Sequence, residues 1–232
     1  MSKNRKLLLF DIDGTLLLTG GTGRIAIEQC FEEMFGIRKA WGETIPDGKT
    51  DPAIFEEIAR RTLGRPLAHD EHHAMRRRYT LYFQQMIGAA PHFRLMPGVE
   101  TLVPLLARDP ALILGIQTGN DEPVAWMKLE RAQLKPHFPF GGFGSDSHLR
   151  TEIIRAAAER GLARAGVKLE RQNIWVIGDA IQDIQSGREL GFTTVAVATG
   201  RTPAARLAAL GPDYLLQDLS NTADCLMLLK QA

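Results

Sequence analysis

The feature that most limits what this chain can become lies near its start: the apolar run Leu7 to Phe10, followed at once by Asp11-Ile12-Asp13-Gly14-Thr15. An uninterrupted stretch of β-compatible, uncharged residues reads as a strand covered on both faces, as in a parallel sheet. Carboxylates at the end of such a strand are costly to bury unless something there needs them. In open parallel α/β sheets, the C-terminal edge is where ligands bind. Asp11 and Asp13 lie two apart and share a face while the strand lasts. Gly14 then permits a turn that aims backbone N–H groups at an anion. The Asp-Gly pair on its own would mark an ordinary turn.

Past Thr15 the period changes. Ile25, Ile27, Phe31, Met34 and Phe35 form an apolar helical stripe. Asp51-Pro52 opens a second helix as N-cap and first helical position, stopping near Gly64, and a third helix spans about Asp70 to Ile87. No strand is expected between Gly20 and Ala90. The stretch reads as an all-helical insertion hinged at Gly20 to Gly23 and at Gly88 to Pro91, which divides the chain into an α/β core (1–18 and 90–232) and a helical domain (19–89). From Pro97-Gly98 onward, helix and strand alternate. Strands are expected at Leu112 to Gln117, Phe140 to Phe143, Asn173 to Ile177, Thr193 to Ala198 and, at an edge, Tyr214 to Leu216. The helices between them are expected at Val99 to Ala107, Asp121 to Leu134, Thr151 to Ala165 and Gln182 to Leu190. This alternation is the signature of a doubly wound, Rossmann-like parallel sheet.

Composition excludes several function classes. A formal net charge of +1 argues against a dedicated nucleic-acid binder, and the densest basic tract, Arg76-Arg77-Arg78, suits a solvated helix face. No segment approaches the length of a membrane span, and the apolar run after Lys6 is too short for a signal peptide. The two cysteines, Cys30 and Cys225, have no metal-ligand spacing, so a reducing cytoplasm is the expected location.

Three strand ends are polar: Asp11 with Asp13, Thr118 with Asn120, and Asp179 with Asp183. If the strands are parallel, all of these meet at one edge. Converging carboxylates repel one another and need a neutralising cation. Oxygen-only ligands with no His or Cys nearby favour magnesium. Such a site attracts phosphate, to which Thr118 offers a hydroxyl and Gly119-Asn120 backbone N–H donors. Gly48-Lys49-Thr50 is not a nucleotide-binding loop, because Gly42 is misplaced by one residue and no strand precedes it. His72 and His73 are adjacent on a helix and point different ways, as on a solvated face.

These pieces resemble the haloacid dehalogenase superfamily. Asp11-Ile12-Asp13-Gly14-Thr15 looks like its first motif, Thr118-Gly119-Asn120 its second, and Gly178-Asp179-Ala180-Ile181-Gln182-Asp183 its acidic fourth; the helical insertion looks like its small cap. The resemblance implies that Asp11 is the nucleophile and Asp13 the acid and base. Asp11, the backbone carbonyl of Asp13, and Asp179 would hold magnesium, with Asp183 as a ligand or a partner of one. The second aspartate implies a phosphate ester as substrate rather than a carbon halide. The family's third motif is usually a lysine after the third strand. Lys135 precedes the Phe140 strand and so falls at the wrong edge, whereas Arg150 fits. Lys49, Thr50 and Asp51 would form a substrate-facing segment of the cap, although Asp51 also suits a plain N-cap. The implied activity is hydrolysis of a small phosphomonoester, in the manner of phosphoglycolate phosphatases. A sugar-phosphate mutase and a non-catalytic phosphate or metal binder are the alternatives.

Overall fold

The computed structural model describes residues 5–230. Strand β1 (Lys6–Phe10) is buried along its whole length and lies at the centre of a six-stranded parallel sheet. The other strands are β4 (Leu112–Gln117), β5 (Gly141–Gly142), β6 (Ile174–Gly178), β7 (Thr193–Val197) and β8 (Tyr214–Leu216), in the order β5-β4-β1-β6-β7-β8. After β1 the chain builds outward on one side through β4 and β5, then crosses to build β6, β7 and β8 on the other. β1 and its two neighbours therefore flank the switch point, beyond whose strand ends open α/β sheets bind their ligands.

Both faces of the sheet are covered, as the unbroken apolar run requires. Alternate residues of β1 point opposite ways: Leu8 and Phe10 join one core with α4 (Val99–Ala107), α5 (Glu122–Arg131) and α9 (Thr222–Lys230), while Leu7 and Leu9 join the other with α6 (Arg150–Ala165). Each fully buried Leu or Phe contributes about 1.5–3 kcal/mol by leaving water. α7 (Ile181–Glu189) and α8 (Ala204–Ala209) complete the cover over β7 and β8.

Helices α1 (Thr22–Phe35), α2 (Asp51–Leu63) and α3 (His69–Ile87) bury their own cluster, including Phe31, Phe55, Tyr79 and Phe83. It meets the α/β part through Val124 of α5. Two differences from the sequence reading stand out. Ile25 is 48% exposed, and the buried face of α1 is Thr22, Ala26, Ile27, Cys30 and Phe31. Ile27 and Phe31 of the expected stripe lie on that face, and Met34 and Phe35 pack partly buried against the same cluster, so Ile25 alone was misplaced, the small residues Thr22, Ala26 and Cys30 completing the face. The N-cap of α2 is Thr50, whose hydroxyl accepts from the Ala53 N–H at 3.2 Å, and Asp51 is already the first helical residue.

The chain passes to and from this helical block through a two-stranded antiparallel ribbon, β2 (Leu17–Leu18) with β3 (Arg94–Leu95). Reading the sequence missed it, since two-residue strands carry no period and their pairing spans the whole insertion. The strand expected at Phe140 to Phe143 shrinks to Gly141–Gly142, because Phe140 and Phe143 turn into the two cores. Among the described residues, no helix is long and apolar enough to cross a membrane.

Candidate active site

Register explains why the polar strand ends meet. Phe10 lies opposite Ile116 of β4 and Ile177 of β6, so the residues that follow leave the sheet side by side. Asp11 stays tied to the sheet, its N–H donating to the Ile177 carbonyl at 2.9 Å. One carboxylate oxygen from each of Asp11, Asp179 and Asp183 lies within 4.8 Å of the other two, and all three residues are buried. Gly14 turns the chain at φ +86°, and a Cβ there would lie 2.5 Å from Asp179 Oδ2, so the residue after Asp13 must be glycine for the carboxylate to fit. Thr15 Oγ1 donates to Asp179 Oδ1 at 2.8 Å, and Thr199 Oγ1 donates to the Gly14 carbonyl at 2.6 Å.

Asp183 is 0% exposed and held from three directions. Its Oδ1 accepts from Gln117 Nε2 at 3.0 Å and Arg150 Nε at 2.9 Å, while Oδ2 accepts from the Ala180 N–H at 3.1 Å, satisfying an orphan donor at the start of α7. Arg150, the first residue of α6, also brings Nη2 to 3.3 Å from Asp11 Oδ1. Its Nη1 is buried and has no hydrogen-bond partner among the described residues. An unsatisfied buried guanidinium N–H is costly, and an anion supplied from outside would satisfy it.

One guanidinium does not balance three carboxylates. Burial pushes the Asp11 carboxyl up to about 7, opposed by Arg150 and reinforced by Asp183 and Asp13. Burial together with Asp11 and Asp183 pushes Asp179 up to about 8, against the Thr15 hydrogen bond. This excess negative charge, presented by oxygen atoms alone, fits a hard divalent cation. The sign of the linkage follows. A carboxyl raised in the folded state contributes stability that is complete below its unfolded pKa near 4 and is lost as pH rises through the folded value. The metal-free protein is thus expected to lose stability from this site between about pH 4 and pH 8. A bound cation removes that loss. Added magnesium should raise the thermal midpoint more at pH 8 than at pH 5, and an equal shift at both would mean that it binds elsewhere.

Asp13 and Asn120 approach from the other side of the site. Lys128 Nζ, on α5, donates to Asp13 Oδ1 at 2.8 Å, Asp13 Oδ2 at 2.6 Å and Asn120 Oδ1 at 2.9 Å. Thr118 is buried, its Oγ1 accepting from the Asn120 N–H at 3.3 Å. Reading the sequence missed Lys128. A signal was available, because the buried face of α5 is Val124, Ala125, Lys128 and Leu129, so a lysine sits within an apolar stripe.

The helical block reaches this edge through the start of α2. The Asp51 N–H donates to the Gly119 carbonyl at 2.8 Å, and Asp51 Oδ2 accepts from the Asp121 N–H at 2.8 Å. Burial raises the Asp51 carboxyl to about 7 despite the opposing charge of Lys128. From α3, Arg76 Nε donates to Asp121 Oδ2 at 2.7 Å. The backbone of Lys49 and Thr50 packs so close to Gly119 that a Cβ there would overlap the Lys49 carbonyl oxygen. The Lys49 side chain does not join the cluster; it pairs with Glu57. Lys135 is also elsewhere, 3.4 Å from Glu130 on the surface. His72 rests against Phe55, and the exposed His73 lies beside His69.

Comparison with known proteins agrees with this geometry. The haloacid dehalogenase-like hydrolase family matches residues 8–197. A phosphoglycolate phosphatase of Synechococcus elongatus is 28% identical over 217 residues, covering 92% of this chain and 93% of that protein. Among solved structures, a hydrolase from Pseudomonas syringae superposes with a TM-score of 0.73 at 18% identity, covering 98% of this chain and 100% of that one. CbbY from Rhodobacter sphaeroides in complex with phosphate gives 0.70 at 19% identity, covering 93% and 95%. A family match that runs from the first strand to the fifth strand of the main sheet and takes in every acidic strand end described above means that this chain belongs to the haloacid dehalogenase-like hydrolases.

Proposed function

We propose that the protein hydrolyses a small phosphomonoester with magnesium, in the manner of the phosphoglycolate phosphatase it is similar to, through a phosphoryl group carried on Asp11. The observation that carries this reading is the pairing of a buried Asp11/Asp179/Asp183 cluster with a buried Arg150 whose Nη1 lacks a partner among the described residues. One part would take a cation and the other an anion, as a metal-assisted phosphoryl transfer requires.

Asp11 attacks phosphorus as the bond to the leaving oxygen breaks, and Asp13 gives that oxygen its proton. A water then attacks the phosphoryl group, passes a proton to Asp13, and the Asp11–phosphorus bond breaks. Dividing the displacement in two lets one carboxylate serve as acid and then as base. Arg150 offers its guanidinium to the phosphoryl oxygens, with the Thr118 hydroxyl and the Gly119 backbone N–H as further donors; the N–H groups expected from Gly14 and Asn120 are already committed, to the Leu17 carbonyl at 3.0 Å and to Thr118 Oγ1 at 3.3 Å. Asp11, Asp179, the Asp13 carbonyl and Asp183 would hold the magnesium, which when bound offsets the charge of the carboxylates and the phosphate.

Residues 19–89 act in this reading as a cap that closes over the substrate, excludes bulk water and supplies selectivity, with Thr50 and Asp51 facing the site. The Asp51 N–H bond to the Gly119 carbonyl and the Asp51 carboxylate bond from the Asp121 N–H support it. The test is phosphate release from a panel of esters, 2-phosphoglycolate and sugar phosphates included, with magnesium and with chelator. Chelator-sensitive release is expected. Transfer of the phosphoryl group back to a sugar would identify a mutase instead. Tight binding of magnesium and phosphate without turnover of any ester would identify a non-catalytic binder.

A further inference from the structure

Lys128 is 4% exposed and lies on the apolar face of α5 between Ala125 and Leu129. A methionine or leucine would fill that position without the cost of desolvating an ammonium and immobilising a long side chain. The buried cation is fully used, however. An ammonium has three N–H donors, and here they meet three oxygens, two from Asp13 and one from Asn120.

The Asp13 carboxylate has the opposite problem. It sits on a loop just past the end of β1, its side chain is 39% exposed, and Lys128 is the only hydrogen-bond partner of its oxygens among the described residues. Without that partner the carboxylate is free to rotate toward water. The site thus has two buried cations with separate duties: Arg150 bonds Asp183 and faces Asp11, and Lys128 takes Asp13. Lys128 also ties the loop after β1 to the loop after β4, and its ammonium lies 5.8 Å from the ring of Phe83 in α3. One side chain therefore touches both halves of the site and the helical block above it.

We propose that Lys128 is a positioning residue that holds the Asp13 carboxylate and the Asn120 side chain in the orientation from which Asp13 exchanges protons with the leaving oxygen and the attacking water. This rests on the acid and base role given to Asp13 above. Proton donation matters in proportion to the basicity of the leaving oxygen. An alkoxide cannot leave without a proton, whereas 4-nitrophenolate can. The second step, attack of water on the phosphoryl group at Asp11, needs Asp13 whatever the leaving group was.

Lys128→Met keeps the length of the side chain and suits the apolar face. With an alkyl phosphate, its turnover should fall roughly a hundred-fold, with KM changed by no more than about three-fold. With 4-nitrophenyl phosphate, rapid mixing should show a first-turnover burst of nitrophenolate at near the wild-type rate, followed by a steady state slowed about as much as alkyl turnover. Lys128→Gln retains N–H donors without the charge and carries the same comparison should the methionine variant not fold. In a crystal of either variant, Asp13 should be turned or disordered while Asp11, Asp179 and Arg150 keep their places. A burst slowed as much as the steady state, a rise in KM alone, or an unmoved Asp13 would overturn the proposal. Failure to trap a phosphoryl group on Asp11 in rapidly quenched Lys128→Met, where its hydrolysis is the slowed step, would instead strike at the phosphoryl-Asp11 reading beneath it.

Discussion

Asp11→Asn is expected to abolish turnover, with a loss of roughly ten-thousand-fold or more, and to make the metal-free protein more stable at pH 8. The two effects have one cause. Asp11 is buried within reach of Asp179 and Asp183, and burial has already pushed its carboxyl up to about 7. A group raised in this way adds stability only while it is protonated, so its contribution is complete below about pH 4 and lost as pH climbs through 7. An amide at that position has no charge to desolvate and does not repel its neighbours. Arg150 still keeps Asp183 as a partner. Thermal unfolding in chelator should therefore show the variant equal to wild type near pH 4 and above it at pH 8, while phosphate release vanishes. An amide is a poor nucleophile and a poor leaving group, so no covalent route remains. Retention of activity would rule out the phosphoryl-Asp11 mechanism, and a fall in stability at pH 8 would show that the carboxylate crowding is relieved without a metal.

Arg150→Ala should have the second largest effect, and on both readouts in the same direction. Removing the guanidinium takes away the only cation bonded to the three-carboxylate cluster among the described residues. Breaking a buried pair by deleting one partner costs about 3–5 kcal/mol. Here the cost should be larger at pH 8 than at pH 5, where Asp11 and Asp179 are protonated. Loss of a pre-organised donor for the developing charge on phosphate should lower kcat roughly a hundred- to a thousand-fold. Arg150→Lys is the informative companion, because lysine is the usual residue of the resembling motif. A lysine ammonium is a point charge that cannot bond Asp183 and Asp11 through a fork as Nε and Nη2 do. It should restore most of the stability and part of the rate. An alanine variant that turns over within a few-fold of wild type would mean that Arg150 only braces Asp183.

These two residues also mark how far the sequence could be read. Asp11, Asp13 and Asp179 were visible because they interrupt apolar strands, and a charge at the end of a fully buried strand has few physical excuses. Arg150 was visible only by its place at a helix start after the third strand of the alternation; nothing local distinguishes it from a solvated residue. Its burial comes from the approach of α6 to the cluster, which brings Asp183 within 2.9 Å across 33 residues of chain. Lys128 escaped notice although its position on the α5 stripe was readable, since a lysine in mid-helix is ordinarily solvated. The partner that makes it worth burying, Asp13, is 115 residues away.

What the sequence determined by itself is what depends on local periodicity and on the chemistry of strand ends. This comprises the parallel sheet with its first strand covered on both faces, the all-helical stretch between residues 20 and 90, and the acidic edge. Unbroken apolar runs must be covered on both faces, helical stripes must find a partner, and carboxylates must be compensated, whatever the detailed packing. The tertiary structure alone decided which cation serves which carboxylate, that the Lys49 side chain turns to Glu57 while the backbone beside it meets Gly119, and that a two-residue ribbon carries both crossings to the helical block. Each of these joins segments far apart in the chain. Their energies depend on distances of a few ångströms that no local pattern encodes.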